Sequence, residues 1–141
     1  MEGVYMIKEI VKDTFILSRP STPATREDLQ TAKDLTDTLE AHKDVCAGMA
    51  ANMIGVNKRI IIFQEDGKFT VMMNPELMKT TGKYHTSEGC LSLDGTRETD
   101  RYESIKVRYY DMDLKVKIKT YKGFTAQVIQ HEMDHLEGIL I

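Results

Sequence analysis

The chain has 141 residues, 41% of them hydrophobic, and its 19 basic and 22 acidic residues give a formal net charge of −3. A chain of this length and composition covers one hydrophobic core, so we predict a single domain over residues 1–141. The near balance of charges argues against specific nucleic-acid binding and against attachment to an anionic membrane surface.

The N-terminal region has no long apolar run. Charged side chains interrupt it at Glu2, Lys8, Glu9, Lys12 and Asp13. A signal peptide or a membrane span needs an uninterrupted apolar stretch, so we expect a cytoplasmic protein that does not associate with membranes. The two cysteines, Cys46 and Cys90, are too few for a disulfide framework, and a reducing compartment leaves such thiols free to bind metal.

Residues 26–45 show a helical pattern. Apolar residues recur at helical spacing, with charged residues between them, at Leu29, Ala32, Leu35, Leu39 and Val45. This pattern predicts one amphipathic helix.

The middle of the chain favours strands. The segments 59–63, 68–73, 77–84 and 105–110 are short and rich in β-branched or aromatic residues. Turn signals at Asp66-Gly67, Asn74-Pro75 and Thr81-Gly82 separate them. Residues 114–121 alternate through Val116 and Ile118 and predict another half-buried strand. We expect a mostly antiparallel sheet.

A last helix is predicted from Gly123 to about Glu137. A rotation of about 100° per residue places two sets of side chains on opposite sides. One side carries Phe124, Gln127, Val128, His131 and His135, and the other carries Ala126, Ile129, Met133, Leu136 and Leu140. A helix with two committed faces is normally central to its domain. We therefore predict an α+β fold in which mostly antiparallel β-sheets surround a central C-terminal helix, with an amphipathic helix near the N terminus.

The predicted last helix contains a His-Glu-x-x-His pattern. His131 and His135 project from consecutive turns of one face, and both rings can reach a single metal ion. Glu132 lies one step round the helix, where its carboxylate can take a proton from a metal-bound water. The alternative is a surface helix with two solvated histidines.

A catalytic site of this type needs a third protein ligand. Cys90, in Glu88-Gly89-Cys90-Leu91-Ser92, is the best candidate, because glycine lets the backbone turn tightly after a strand and the thiol can bind metal as a thiolate. A lone cysteine is more often a small buried apolar residue. Beside a His-Glu-x-x-His helix, the ligand interpretation is favoured.

Three segments together resemble the peptide deformylases. They are residues 48–55 (Gly-Met-Ala-Ala-Asn-Met-Ile-Gly), 88–92 (Glu-Gly-Cys-Leu-Ser) and 130–136 (Gln-His-Glu-Met-Asp-His-Leu). Their order and separation match the family. The resemblance implies a peptide deformylase-like catalytic domain that removes the formyl group from the N-terminal formylmethionine of new polypeptides.

The resemblance also implies roles for particular residues. Cys90, His131 and His135 would hold one divalent ion, with ferrous iron as the native metal and zinc, nickel or cobalt as substitutes. Glu132 would be the general acid and base, and the backbone N–H of Leu91 would donate to the oxyanion. The implied substrate-pocket residues are Ala47, Gly48, Glu88, Gly89, Phe124 and Val128. The residues implied to orient the ligands and the Cys90 loop are Ser92, Arg101, Gln130 and Asp134.

The implied partner is an N-formylmethionyl peptide. A transient contact with the ribosome is left open, because the chain stops soon after the motif and resembles a short form without the C-terminal extension that some members carry.

Met53 departs from the family pattern. It occupies the catalytic position at which the family has a glutamine that donates to the oxyanion, and a thioether cannot donate. The loss of one such donor costs about 10²–10³ in rate. In addition, Cys46 and Ala47 stand where the family favours glycine and a larger apolar residue, and Asp94 replaces a frequent proline.

Three hypotheses follow from these residues. The first is an active or attenuated deformylase. The second is a paralogue that binds metal and peptide without turnover, which the change at Met53 motivates. The third is a zinc endopeptidase, which is disfavoured because those enzymes take a downstream histidine or glutamate as third ligand and Glu137 is too close to His135 to serve.

Overall fold

The computed structural model describes residues 7–140. Within this range the helices are α1 (Thr14–Leu17), α2 (Leu29–Ala41) and α3 (Gly123–Leu136). The strands are β1 (Gly48–Ala50), β2 (Ile60–Glu65), β3 (Lys68–Cys90), β4 (Leu93–Tyr110) and β5 (Val116–Lys122). Short 3₁₀ segments cover Arg26–Asp28 and Ala51–Ile54. No helix in the described range is long and apolar enough to cross a membrane.

The strands form one antiparallel sheet in the order β1-β2-β3-β4-β5. Its longest pairing is the hairpin of β3 and β4, which runs from Met73 opposite Tyr110 to Cys90 opposite Leu93. The hairpin therefore carries Cys90 to the tight turn at its end. The α+β fold and the mostly antiparallel pairing are confirmed.

Strand β2 explains how the sheet holds two helices. Ile60 and Ile62 pack in a cluster with buried residues of α2, whereas Ile61 and Phe63 pack in a second cluster with buried residues of α3. Successive side chains of a strand point to opposite faces. The unbroken apolar run of β2 therefore arises because both faces are covered, and α3 is central as predicted.

Helix α2 is shorter than the predicted helix. Its apolar face is completely buried at Ala32, Leu35 and Leu39. The helix ends at Ala41, however, and the N–H of His42 returns to the carbonyl of Leu39. The prediction that the helix continues to Val45 is wrong, because the chain turns away and leaves Val45 74% exposed.

Two predicted turns lie inside strand β3. At Asn74 the backbone has a φ of 52° and the pairing with β4 is irregular, but the strand continues. The Asn74 side chain accepts from the N–H of Ala24 at 2.8 Å and donates to its carbonyl at 3.0 Å, so it fixes a neighbouring loop instead of ending the strand. Thr81 and Gly82 also stay within β3. Both pairs were wrongly predicted to separate strands.

Strand β5 exists as predicted but presents the other face to the core. Val116 and Ile118 are 48% and 51% exposed, whereas Tyr121 is buried and packs edge-on against Phe63 with ring centroids 5.5 Å apart. The alternation therefore predicted the strand correctly and its buried side wrongly. Helix α3 covers the face that carries Tyr121.

Helix α3 ends where its backbone reverses. Gly138 has a φ of 76°, and the N–H of Ile139 returns to the carbonyl of Asp134 at 3.0 Å. A left-handed residue here satisfies the last carbonyl groups of the helix. A Cβ at Gly138 would clash with the carbonyl oxygen of Ser18, so glycine is also required for close packing against the loop after α1.

Candidate active site

One thiol and two imidazoles converge between the β3–β4 turn and helix α3. The potential ligand atoms of Cys90, His131 and His135 all lie within 4.8 Å of one another. The Sγ atom of Cys90 is 3.4 Å from Nε2 of His135, and the two imidazole rings have centroids 5.1 Å apart. The structure therefore brings together the three residues that the sequence proposed as metal ligands.

This group fits a divalent metal ion. Two imidazoles and a thiolate form a donor set that suits zinc, iron, nickel and cobalt. His131 and His135 are buried, whereas Cys90 is partly exposed. Beside them, Oε1 of Glu132 is buried and has no hydrogen-bond partner among the described residues. A buried carboxylate oxygen without a donor indicates that a polar group belongs next to it.

Glu132 is set up for proton transfer. Its side chain is only 4% exposed, and burial raises its pKa to about 7. A carboxyl group with such a pKa can both accept and release a proton near neutral pH.

Glu88 holds His131 in place. Its Oε1 lies 2.8 Å from Nδ1 of His131, and it forms a two-pronged ion pair with Arg101 at 2.7 and 3.0 Å. Gln127 donates to Oε2 of Glu88 at 2.9 Å. Although burial opposes ionisation, the hydrogen bonds from His131, Arg101 and Gln127 lower the pKa of Glu88 to about 2. Because this carboxylate can only accept, Nδ1 of His131 donates to it and Nε2 is left for a metal.

The surroundings of His131 favour the protonated form of its imidazole. Burial opposes its protonation, but contacts with Cys90 and Glu88 outweigh this effect and raise its pKa to about 10. A metal ion must displace that proton. Metal binding is therefore linked to proton release.

The predicted orienting residues divide into two groups. Arg101 contacts Glu88 directly and also pairs with Asp134 at 2.6 Å, so both belong to the network that ends at His131. Gln130 instead exchanges two hydrogen bonds of 2.9 Å with the backbone of Tyr102. Ser92 is buried, and its hydroxyl has no partner within residues 7–140. Gln130 thus anchors α3 on strand β4, and within the described residues neither side chain forms a hydrogen bond with Cys90, His131 or His135.

The end of strand β3 also corrects the expected role of Gly89. This residue is part of β3 and is not among the glycines with positive φ. Its backbone needs no special conformation, and Cys90 is the last residue of the strand. The reversal of the chain begins at Leu91, which lies in the turn to β4.

A cleft of about 670 Å³ opens beside Cys90 and His131. Its walls include every residue predicted for the substrate pocket: Ala47, Gly48, Glu88, Gly89, Phe124 and Val128. Leu91, Met53 and Glu132 also line it. The pocket prediction did not include Val45, Cys46, Leu93 and Gln127. Of these, Gln127 could have been found, because it precedes His131 by one helical turn on the same face.

Gly48 allows the cleft wall and the motif helix to pack closely. A Cβ at this position would lie 2.7 Å from Cγ1 of Val128 and 3.2 Å from Cγ of Glu132. Strand β1, which was not predicted from the sequence, therefore packs directly against the part of α3 that carries Val128 and Glu132.

Met53 is buried at the cleft wall. Its Sδ accepts a weak hydrogen bond from the N–H of Ala50 at 3.4 Å, and the residue is 1% exposed. The neighbouring Asn52 donates instead to the carbonyl of His135 at 2.8 Å. Neither side chain therefore offers an amide donor in place of the glutamine that the family resemblance led us to expect.

Cys46 lies in the same cleft as Cys90. Its thiol donates to the carbonyl of Gly48 at 2.9 Å, and burial, aided by the nearby charges of Glu132 and Cys90, raises its pKa to about 12. It therefore remains a neutral thiol at physiological pH.

Comparison with known proteins agrees with this geometry. The family model described as polypeptide deformylase matches residues 7–141. A peptide deformylase of Clostridium beijerinckii is 51% identical over 136 residues, covering 96% of this chain and 100% of that protein. One from Symbiobacterium thermophilum is 36% identical over 142 residues, covering 95% of this chain and 64% of its own length.

Solved structures show the same similarity. The crystal structure of a peptide deformylase from Legionella pneumophila matches with a TM-score of 0.85 and 32% identity, covering 95% of this chain and 83% of that one. That of the peptide deformylase from Thermus thermophilus matches with a TM-score of 0.83 and 33% identity, covering 97% of this chain and 83% of that one. Family model, sequence relatives and fold agree, and the chain belongs to the peptide deformylase family.

Proposed function

We propose that this chain removes the formyl group from N-terminal formylmethionine of new polypeptides, with Glu132 as the general acid and base. The enzyme class follows from family membership, since peptide deformylases are metal-dependent hydrolases that remove N-terminal formyl groups. The observation that carries the proposal for the residues is the approach of Cys90, His131 and His135 to within 4.8 Å beside a buried Glu132.

Cys90, His131 and His135 would hold the metal, for which we propose ferrous iron as the native ion. When bound, such an ion supplies Lewis acidity that activates water and polarises the formyl carbonyl. The protein's part is to hold the ligands in fixed orientations. Glu88 does so for His131, because its hydrogen bond to Nδ1 fixes both the tautomer and the plane of the ring.

Glu132 would move the proton. Its carboxylate accepts a proton from the attacking water and then delivers it to the amino group that leaves the formyl carbon. A pKa of about 7 suits both steps, since the group can take up the proton and release it again. The burial that raises this pKa also keeps bulk water away from the carboxylate.

The cleft would bind the peptide. The N–H of Leu91, in the β3–β4 turn, would donate to the oxyanion as the carbonyl carbon becomes tetrahedral. The methionine side chain would lie against Phe124 and Val128, which precede His131 on the face of α3 that lines the cleft. Gly48 would form the facing wall, since it already lies against Val128.

The experiment is formate release from a formyl-Met-Ala-Ser peptide by protein loaded with iron or nickel in the absence of oxygen. Release well above a metal-only control supports the proposal. Tight binding of the peptide without release, even after Met53→Gln, would show a binding protein instead of an enzyme.

We also propose a cytoplasmic location, because a free thiol ligand requires a reducing compartment. A transient contact with the ribosome also stays a prediction, because the proposed substrates are new polypeptides that emerge from the ribosome.

A further inference from the structure

Gln127 lines the cleft with a side-chain amide. Only one of the hydrogen-bonding groups of this amide has a partner among the described residues. The side chain is partly exposed, lines the cleft, and donates from Nε2 to Oε2 of Glu88 at 2.9 Å. A glutamine amide has two N–H donors and a carbonyl oxygen. No other hydrogen bond of this amide occurs among the described residues, so one N–H and the oxygen remain available.

The hydrogen bond to Glu88 fixes the orientation of the Gln127 amide, that is, the positions of its nitrogen and its oxygen. The carboxylate of Glu88, which the guanidinium of Arg101 binds at 2.7 and 3.0 Å, acts as a hydrogen-bond acceptor and therefore faces the nitrogen of Gln127. The ion pair with Arg101 holds Glu88 in turn. The amide is therefore pre-oriented, and binding of a polar group to it requires little reorganisation.

Gln127 also stands at the right distance from the reacting centre. It precedes His131 by four residues and follows Phe124 by three, so along the helix axis it lies about 6 Å from His131 and about 4.5 Å from Phe124. A methionine side chain reaches roughly this far from its formyl group. The end of that side chain, and not the peptide backbone, would therefore meet the amide.

We propose that Gln127 is a specificity-determining residue that lets the pocket accept a polar side chain of methionine size, such as methionine sulfoxide. This inference rests on the proposed function and refines its substrate class. The sulfoxide oxygen accepts the second N–H of Gln127, so the sulfoxide keeps a hydrogen bond inside the cleft. An apolar pocket would discriminate against the sulfoxide, because its oxygen would lose its hydrogen bonds with water.

Gln127 also supports Glu88, and a purely structural role must be separated from selectivity. The useful quantity is the kcat/KM for a formyl-methionine-sulfoxide peptide divided by the kcat/KM for the matching formyl-norleucine peptide. A variant that disturbs Glu88 or His131 lowers the kcat/KM of both peptides by the same factor. This effect cancels in the ratio. A change in the ratio therefore reports contacts with the side chain of the substrate.

The test compares Gln127→Met with the unmodified enzyme, using formyl-X-Ala-Ser peptides. Methionine has similar length and cannot donate, so we expect the ratio to fall about tenfold. Asp134→Asn is the matched control, because Asp134 supports the same network through Arg101 but does not line the cleft. We expect it to leave the ratio unchanged. Gln127→Leu serves if Gln127→Met does not fold.

An equal ratio in the Gln127 variant and the unmodified enzyme would overturn the inference, as would an equal fall in Asp134→Asn. If formyl-Met-Ala-Ser itself is not hydrolysed, the proposed function fails. The inference is then tested by the dissociation constants of the sulfoxide and norleucine peptides. We expect Gln127→Met to weaken binding of the sulfoxide peptide relative to the norleucine peptide by the same factor of about ten.

Discussion

The backbone N–H of Ala50 donates to the thioether sulfur of Met53 over 3.4 Å at the wall of the cleft. The sulfur accepts where a glutamine amide could donate to the oxyanion of the substrate. A thioether in this position supplies no proton donor.

Met53→Gln should raise the kcat/KM for a formyl-Met peptide by about 10²-fold, the lower end of what one oxyanion donor contributes. Initial rates of formate release measure this. Met53→Leu, which fills the site without a donor, should give no rise. Equal rates for Met53→Gln and the unmodified enzyme would mean that other donors already stabilise the oxyanion.

Glu132→Gln should lower kcat by about 10²–10⁴-fold, the usual contribution of a positioned acid and base. The metal content should not change, because Glu132 lies beside the three proposed ligands and is not one of them. Rate and metal content are measured on the same preparation. Loss of the metal together with the activity would assign Glu132 to the ligand set.

Glu88→Gln should weaken metal binding by about 10–100-fold, because His131 loses the carboxylate that orients it. Competition with a chelator measures the affinity. Glu98→Gln is the matched control, since Glu98 lies on the same hairpin but its side chain is 77% exposed and, within residues 7–140, forms an ion pair only with His85. Equal affinity in both variants would separate Glu88 from the metal site.

Gly48→Ala should lower the free energy of unfolding by about 1–3 kcal/mol through overpacking against Val128. Val128→Ala should recover part of that loss in the double variant, because it removes the atom that lies only 2.7 Å from the added Cβ. Gly89→Ala is the control, since its Cβ would meet no atom closer than 3.6 Å. Denaturant unfolding of all four variants measures the coupling, and additive effects would contradict it.

The sequence predicted the parts of the site that depend on local spacing. His131 and His135 share a face because a helix places residues four apart on consecutive turns. The contact between Glu88 and Gln127 joins residues 39 positions apart, and no local pattern indicates it. The family resemblance supplied Glu88 and the helical spacing placed Gln127 on the histidine face, but the contact between them was found only in the folded chain.

The fold was predictable where burial follows a simple period. Helix α2 buries Leu35 and Leu39 as its spacing indicates. The distal part of the β3–β4 hairpin was not predicted, because its strands around His85 and Glu98 are mostly exposed and carry charged or polar side chains on both faces. Strand β1 was missed since three residues show no period.

The most direct measurement is metal analysis of protein purified without oxygen, with Cys90→Ala compared with Cys46→Ala. Both cysteines line the same cleft, but only Cys90 lies within ligand distance of the two histidines. We predict about one divalent ion per chain in the unmodified protein and in Cys46→Ala, and loss of that ion in Cys90→Ala. Full metal content in Cys90→Ala, or none in the unmodified protein, would contradict the account.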